Sequence, residues 1–161
     1  MFKLISNLLT LNVALGSKLR SIQAFDEGMD LHGQGNFKEA LPLMHEAAEL
    51  GNPQAMSLLG TMYLFGQGMK VDGKHAELWL QKSIDGGYEG SISVLGMAYA
   101  TGVAGIRIDM AKAREMLTFA ADKGDEQSAR MLGMMDRGEG MFRKQKRESK
   151  PPYPMKKSSG K

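Results

Sequence analysis

Three histidines and three Gly-x-Gly pairs are the residues whose types and spacing could carry chemistry. His32, His45 and His75 each lack a second histidine or a carboxylate at the spacing of a metal-ligand pair. The glycine pairs at 33/35, 66/68 and 138/140 follow predicted helices and lack the lysine and hydroxyl residue of a phosphate-binding loop, so they indicate helix stops. No nucleophile, base and orienting group can be assembled from the chain. We therefore expect no enzymatic activity, no cofactor and no metal.

The composition is ordinary for a globular domain, since 42% of the 161 residues are apolar and 24% are charged. The chain has no cysteine, which excludes disulfides and thiolate metal sites. Its fourteen methionines favour an irregular core, because a flexible thioether fills gaps between packed elements.

The net charge of +3 is unevenly distributed along the chain. Residues 143–161 hold eight lysines and arginines against one glutamate, whereas residues 26–142 are mildly acidic. We predict that residues 142–161 form a basic disordered tail, because they have too few apolar side chains to bury. Such a tail could contact nucleic acid or an anionic membrane through its charge, but a solvated tail is the simpler interpretation.

An internal repeat with a period of 36 to 37 residues must position all of these groups. The repeat is visible in three sets of residues: Gly60, Gly96 and Gly133; Gly51, Gly87 and Gly124; Ala40, Ala76 and Ala113. Self-similarity at such a period is typical of stacked supersecondary units. The sequence therefore predicts a repeat protein in which each unit packs on its neighbours.

Each unit has the pattern of two helices joined by a loop that contains glycine. Gly60 falls in the middle of a first helix, where glycine costs about 1 kcal/mol relative to alanine, so we expect two helices to approach closely there. Asn36 and Asp72 are predicted to cap the second helices with their side chains. Trp79 is predicted to fill the gap between two hairpins.

The second and third units resemble the Sel-one-like repeat family, a relative of the tetratricopeptide repeats. In the second unit the resemblance lies in Ala55, Leu59, Gly60, Tyr63, Gly66, Gly68, Asp72, Ala76, Trp79 and Gly87. In the third it lies in Leu95, Gly96, Tyr99, Gly102, Asp109, Ala113, Ala120, Ala121 and Gly124, with Ser91 in place of an alanine. The first unit fits the tetratricopeptide spacing better, and the fourth has Asp136 in place of the tyrosine.

The resemblance implies an all-α, right-handed α/α solenoid over residues 21–141, made of three helical hairpins plus an unpaired terminal helix. The structural residues that it implies are Gly60, Gly96, Gly133, Tyr63, Tyr99 and Trp79. Members of such families serve as protein–protein interaction scaffolds whose first helices line the concave face. We therefore expect a non-enzymatic adaptor that binds a peptide or helix of another protein, and no small-molecule substrate.

The binding surface is expected on the face of each first helix that lies opposite the predicted core. This face carries Gln54, Ser57, Thr61, Leu64, Ser93, Met97, Ala100, Gln127, Arg130 and Met134. Leu64, Met97 and Met134 are expected to be exposed there, which would make a shallow, partly apolar groove with a basic end.

Residues 1–20 contain no acidic residue and have the pattern of an amphipathic helix before the first unit, with a stripe formed by Leu4, Leu8, Leu11, Leu15, Leu19 and Ile22. Three interpretations stay open: a cap over the first repeat, a secretory signal, and a membrane-surface helix. The cap favours a cytoplasmic protein. The other two favour a periplasmic, secreted or membrane-peripheral protein, such as an exported inhibitor or immunity-type binding protein.

Overall fold

The computed structural model describes residues 2–138, and the side chains of residue 7 and residues 10–138. The predicted disordered tail at 142–161 lies outside this range. Within the described range the elements are α1 (Phe2–Gly33), α2 (Phe37–Glu49), α3 (Pro53–Phe65), α4 (Gly73–Asp85), α5 (Gly90–Thr101), a 3₁₀ turn (Val103–Gly105), α6 (Met110–Asp122) and α7 (Glu126–Arg137). The predicted all-α fold class is confirmed.

The helices pair in chain order. α1 packs on α2, α3 on α4 and α5 on α6, so the described residues contain three hairpins. The second helix of each hairpin also contacts the first helix that follows it, and α7 packs on α6. This continuous stacking produces the predicted solenoid of three hairpins and a terminal helix. None of the helices in residues 2–138 is long and apolar enough to cross a lipid bilayer.

The first helix is longer than the sequence analysis predicts. α1 runs without interruption from Phe2 to Gly33, so the predicted N-terminal amphipathic helix and the first helix of the first unit are one element. Two glycines within this range, Gly16 and Gly28, do not end the helix. A boundary at residue 20 is therefore absent from the secondary structure.

Polar contacts show where α1 leaves the body of the molecule. Arg20 forms an ion pair of 2.6 Å with Glu46, and the Ser21 hydroxyl donates to the carbonyl of Ala47, close to the end of α2. Residues before Ser17 therefore continue past α2. Residues 2–16, which we call the overhang, extend for about 22 Å at the rise of an α-helix. The overhang extends α1 beyond the end of α2, and the expectation of a cap stays a prediction.

Side-chain capping occurs at Asp72 but not at Asn36. The Asp72 carboxylate accepts hydrogen bonds from the backbone N–H groups of Lys74 and His75, at 3.0 and 3.1 Å, and the bonds from His75 lower the pKa of this carboxyl group. Asn36 precedes α2, but its side chain accepts no hydrogen bond from the helix. Its backbone (φ −81°, ψ 59°) lies outside the extended region that a capping residue normally adopts.

Two apolar clusters fill the spaces between hairpins. The cluster between the first two hairpins consists of Ala24, Met44, Ala47, Ala48, Ala55, Leu59, Met62 and Trp79. The predicted position of Trp79 between hairpins is therefore confirmed. The second cluster connects the second hairpin to the third and to α7, and its larger members are Leu64, Leu80, Leu95, Tyr99, Leu117 and Met135.

Two buried serines connect the second and third hairpins. The Ser91 hydroxyl donates to Ser83 Oγ over 2.8 Å, and the Ser83 hydroxyl donates to the carbonyl of Pro53 over 2.6 Å. Both serines are fully buried, so each hydroxyl needs a hydrogen-bonding partner. This pairing explains why the third unit tolerates Ser91 where the resemblance predicts an alanine.

The mid-helix glycines lie where the two helices of a hairpin touch. A Cβ atom at Gly60 would lie 2.7 Å from Leu80 Cγ and 3.1 Å from the carbonyl oxygen of Ala76, both on α4. A Cβ atom at Gly96 would lie 3.1 Å from Leu117 Cγ on α6. The predicted close approach at these two glycines is confirmed.

The glycines at the two ends of the array, Gly28 and Gly133, occupy the same repeat position but have different neighbours. Gly28 in α1 repeats the close approach, since a Cβ atom there would lie 2.5 Å from Met44 Cε on α2. At Gly133 in α7 the nearest atom is 3.2 Å away and belongs to Arg137 on the same helix. Gly133 therefore contacts no second helix, which agrees with the predicted unpaired terminal helix, since the described residues contain no helix after α7.

Gly60→Ala should destabilise the chain by about 1–3 kcal/mol, because the new methyl group collides with α4 and the hairpin has to open. Gly133→Ala is the matched control at the same repeat position. It should stabilise by up to about 1 kcal/mol, since the Arg137 side chain can move aside and alanine favours the helix. Urea unfolding followed by circular dichroism measures both changes. A shift of the same sign and size in the two variants would contradict the packing account.

Candidate binding face

The exposed side chains of α3 follow one line along the helix, at positions i, i+4, i+7 and i+11. The line consists of Gln54, Leu58, Thr61 and Phe65, of which the first and last are exposed and the middle two are half-buried. Phe65 has 62% of its surface exposed, although phenylalanine is among the residues most often buried in folded proteins. The line thus combines two polar side chains with Leu58, which packs against the first apolar cluster, and the strongly exposed Phe65.

Equivalent lines occur on the other first helices, and together they form a surface that we call the inner face. Its members are Ile22, Asp26 and Met29 in α1; Gln54, Leu58, Thr61 and Phe65 in α3; Gly90, Val94, Met97 and Thr101 in α5; Gln127, Met131 and Met134 in α7. All of them are exposed or half-buried. Stacked repeats commonly bind their partners on the extended concave surface that such an array creates.

Three residues that were predicted for this surface are buried instead. Ser57 is 8% exposed, Leu64 is 3% exposed and Ala100 is fully buried, so the expectation of an exposed Leu64 is wrong. The prediction assumed that a first helix has neighbours on one side only. Because α3 and α5 lie inside the array, they contact hairpins on both sides. Leu64 and Ala100 consequently pack into the second apolar cluster.

The remaining predicted positions reach the surface, namely Gln54, Thr61, Ser93, Met97, Gln127, Arg130 and Met134. The hydroxyls of Thr61 and Ser93 donate to backbone carbonyls of their own helices, at 2.9 and 3.1 Å. Arg130 Nη2 lies 3.7 Å from the carboxylate of Glu126, which reduces the expected positive charge at that end. A contact between these residues and a partner stays a prediction.

Leu58, Phe65 and Met131 are members of the inner face that the sequence analysis missed. The four positions of the α3 line fall within about 60° around the helix axis, whereas Ser57 and Leu64 lie to one side of it. A search for the narrowest line of exposed positions, instead of the face opposite the core, would have found them.

The chemistry of the inner face is mainly apolar. Eight of the members named above are aliphatic, aromatic or methionine side chains, and Asp26 is the one charged member. No group of histidine and carboxylate side chains in residues 2–138 is placed to hold a metal ion. The arrangement suits the binding of an apolar segment, with methionines that can adapt to its shape.

A polar cleft of about 540 Å³ lies beside the loop between α5 and α6, lined by Glu77, Tyr99, Arg107, Ile108, Asp109, Met110 and Lys112. The Tyr99 hydroxyl donates to the Glu77 carboxylate, and Lys112 Nζ lies 5.1 Å from the centre of the tyrosine ring. Burial and then the hydrogen bond to Glu77 raise the pKa of Tyr99 to about 12. The hydroxyl therefore stays protonated near neutral pH and joins α5 to α4 as a donor.

The contact between Tyr99 and Glu77 has an equivalent one unit later, made by two different residue types. Asp136 occupies the position of Tyr99 one unit later, and Arg114 occupies that of Glu77. Arg114 Nη1 donates to Asp136 Oδ1 over 2.7 Å. The departure from the tyrosine at Asp136 therefore preserves the contact between successive units as an ion pair.

Tyr63 makes the corresponding contact one unit earlier, with histidines. Its hydroxyl lies 3.3 Å from Nε2 of His45 on α2, and its ring stacks on His75 on α4 with 5.2 Å between ring centres. Trp79 meets His45 edge-on at 6.0 Å. Burial lowers the pKa of His45, with Glu49 opposing and His75 adding to the shift. His45 thus fills a mainly aromatic site between two hairpins.

A scan against protein-family models matches the Sel1 repeat at residues 23–52, 53–88 and 92–125, which together make up more than half of the chain. The first match covers the unit that the sequence analysis assigned to tetratricopeptide spacing, so that assignment is wrong. α7 lies beyond the last match. A search of curated proteins finds no match.

Two solved structures are similar to this chain. A protective antigen present in uropathogenic Escherichia coli strains, which displays an SLR fold, is 31% identical over 76% of this chain and 27% of its own, with a TM-score of 0.66. A Sel1 repeat protein from Oxalobacter formigenes is 27% identical over 71% of this chain and 48% of its own, with a TM-score of 0.62. The chain thus spans about a quarter and about half the length of these two proteins.

His45→Gln should make the fold less sensitive to mild acid. The pKa of His45 is lower in the folded chain than in the unfolded chain, where it is near 6.5, so the unfolded chain takes up this proton first as the pH falls. The free energy of unfolding therefore decreases from about pH 6.5 down to the lower pKa of the folded state. Melting temperatures at about pH 7.5 and about pH 5.5 measure the effect.

The neighbouring titratable groups are His75 and Asp72 beside α4 and Glu49 on α2, and the variant keeps all three. The difference between the parent and His45→Gln therefore reports His45 itself. An equal loss of melting temperature in the two proteins would show that His45 does not cause the acid sensitivity.

Proposed function

The chain belongs to the Sel1 repeat family, and on that premise we propose that it is a non-enzymatic scaffold that binds a helix of another protein along its inner face. Proteins of this family mediate protein–protein interaction and are typically non-catalytic. The exposed residues of the inner face indicate how this chain would bind a partner.

The observation that carries the proposal is the exposed Phe65 on the inner face, together with the other apolar members of that face. Phe65 on α3 is 62% exposed and Met134 on α7 is 37% exposed, while Leu58 on α3 and Met97 on α5 are half-buried. Contiguous exposed apolar surface on a folded domain is typical of an interaction site. Aromatic side chains at such sites commonly contribute most of the binding free energy.

The geometry favours a helix as the bound segment. An amphipathic helix presents apolar anchors at i, i+3 or i+4 and i+7, and it buries them in a groove lined by apolar residues. The first helices supply such a lining, because their exposed lines lie side by side across α1, α3, α5 and α7. The adaptable methionines Met29, Met97, Met131 and Met134 can accommodate different anchors.

The one charged member of the inner face, Asp26, would orient the bound helix. Asp26 is exposed at the end of the inner face formed by α1. A partner helix with a basic residue near Asp26 is complementary to this charge. The proposed partner segment is therefore apolar on one face and basic at the end that meets α1.

Replacement of one exposed apolar residue on α3 and one on α7 tests the proposal. Helical peptides are first selected for binding to the full chain, and the selected peptides are then measured against Phe65→Glu with Met134→Glu. This double variant should weaken binding by about 30-fold or more, since the loss of an aromatic anchor costs about 2 kcal/mol or more. The matched control is Leu78→Glu with Phe119→Glu, at positions of α4 and α6 that are 49% and 43% exposed.

The control variant should bind the peptides as the parent does, and circular dichroism should show that both variants keep the fold. Weaker binding by the control, with binding retained by the inner-face variant, would place the site on the second helices. A photo-crosslinking residue at position 65 should label the bound peptide, and one at position 78 should not.

A further inference from the structure

We propose that the N-terminal part of α1 docks on the surface of an anionic lipid membrane. The proposal rests on three features of the described residues: an apolar stripe without a partner, a helix that projects from the body, and a charge that changes sign along the chain. The proposal does not depend on the function proposed for the inner face. The apolar stripe and the inner face share one residue, Ile22.

The apolar stripe lies on the side of α1 that faces away from α2. Its members are Leu11, Leu15, Leu19 and Ile22, which are 64%, 55%, 60% and 46% exposed. Their spacing places them within about 80° around the helix axis. The side chains that pack on α2, such as Ser21 and Ala24, lie on the opposite side. A line of four large aliphatic side chains in water indicates an interaction surface.

The shape of this region suits a flat surface. The side chains from Leu11 to Gly16 are exposed. Ala14, Lys18 and Ile22 line one side of an open cleft of about 530 Å³ whose other side is formed by residues 50–54 and 86–88. Leu11, Leu15 and Leu19 lie outside that cleft and face away from the hairpins. A helix of this kind can lie in the plane of a membrane interface and bury its apolar side among the acyl chains.

The distribution of charge favours an anionic membrane as the surface that the stripe binds. Residues 1–25 contain three basic residues and no acidic residue, whereas residues 26–142 contain seventeen acidic and ten basic residues. Arg20 forms an ion pair with Glu46, so the other two basic residues carry the attraction to an anionic surface. Lys18 is exposed at the edge of the stripe, where its charge can reach phosphate groups while its stem covers apolar surface. An anionic surface therefore attracts the start of α1 and repels the body, which keeps the helix against the membrane and the repeats away from it.

A second copy of the chain fits the stripe less well. Pairing of two overhangs brings Lys18 of one copy near the basic residues of the other, without an acidic side chain in residues 1–25 of either copy to compensate. Like charges in contact disfavour such pairing. The apolar stripe and the absence of acidic residues are both explained by a lipid surface.

Co-sedimentation of the full chain with vesicles tests the proposal. Vesicles of phosphatidylglycerol and phosphatidylcholine in equal parts should bind the parent protein, and vesicles of phosphatidylcholine alone should bind it much more weakly. The variant Leu15→Asp with Leu19→Asp should bind the anionic vesicles at least about tenfold more weakly, because it places two charges on the membrane-facing side. Both positions are more than half exposed, so the fold should be kept, and circular dichroism checks this.

The matched control is Leu78→Asp with Phe119→Asp, which changes the same number of exposed apolar residues to aspartate far from α1. It should bind anionic vesicles as the parent does. Equal binding of the stripe variant and the parent would overturn the proposal and leave the basic residues 143–161 as the source of vesicle binding. Equal binding of the parent to neutral vesicles would overturn the charge argument.

Two further outcomes would overturn the proposal. A parent protein that dimerises by light scattering, with a monomeric stripe variant and no vesicle binding, would assign the stripe to a second copy. An intact mass showing that the protein from its source cell lacks the residues before Ser17 would identify the overhang as a cleaved leader. A mass that includes these residues, together with stripe-dependent binding to anionic vesicles, supports the proposal.

Discussion

The close contact between the two helices of each hairpin is the constraint on which the rest of this structure depends. At Gly60 a Cβ atom would come within 2.7 Å of Leu80 Cγ and 3.1 Å of the Ala76 carbonyl oxygen, so the close approach of these two backbones requires a residue without a side chain. At Gly96 the nearest side-chain atom would be 3.1 Å away, and at Gly28 it would be the flexible end of Met44 at 2.5 Å. The contact recurs at the same place in each unit and gives the hairpins the same geometry. Identical hairpins can then stack with one kind of interface, and the interior first helices become enclosed on both sides.

Enclosure on both sides explains where the molecule has free surface. An interior first helix such as α3 leaves only a narrow line open, and that line carries two apolar side chains, Leu58 and Phe65. At the ends of the array the enclosure is incomplete, because α1 extends beyond its partner and α7 has no second helix in residues 2–138. Equivalent contacts between units can be made by different residue types. The Tyr99–Glu77 hydrogen bond and the Arg114–Asp136 ion pair are two examples at the same repeat position. Function is thus located on surfaces that packing leaves open.

The sequence analysis correctly predicted the features that recur in each unit. Its predictions failed where contact with a neighbouring hairpin determines whether a side chain is buried. The period, the close approach at Gly60 and Gly96, and the cap at Asp72 follow from local patterns. The burial of Leu64 and Ala100 does not, because a helical wheel assumes one buried side and cannot show the next hairpin. Asn36 failed as a cap because its side chain accepts no bond from α2. The length of α1 was missed because the sequence analysis treats residues 1–20 as a helix before the first unit, whereas the structure joins them to the first helix of that unit.

Hydrogen exchange of the full chain, followed residue by residue, tests most directly whether stability comes from enclosure by neighbouring hairpins. The account predicts the slowest amide exchange in α3, α4 and α5, which lie in the middle of the array, and intermediate rates in α2 and α6, which lie next to its ends. It predicts the fastest exchange among helical residues in the overhang and in α7, because these lie at the ends of the array and exchange rates should fall toward its middle. Exchange in the overhang as slow as in α3, in a monomeric chain without lipid, would contradict the account. So would uniform exchange from α1 to α7.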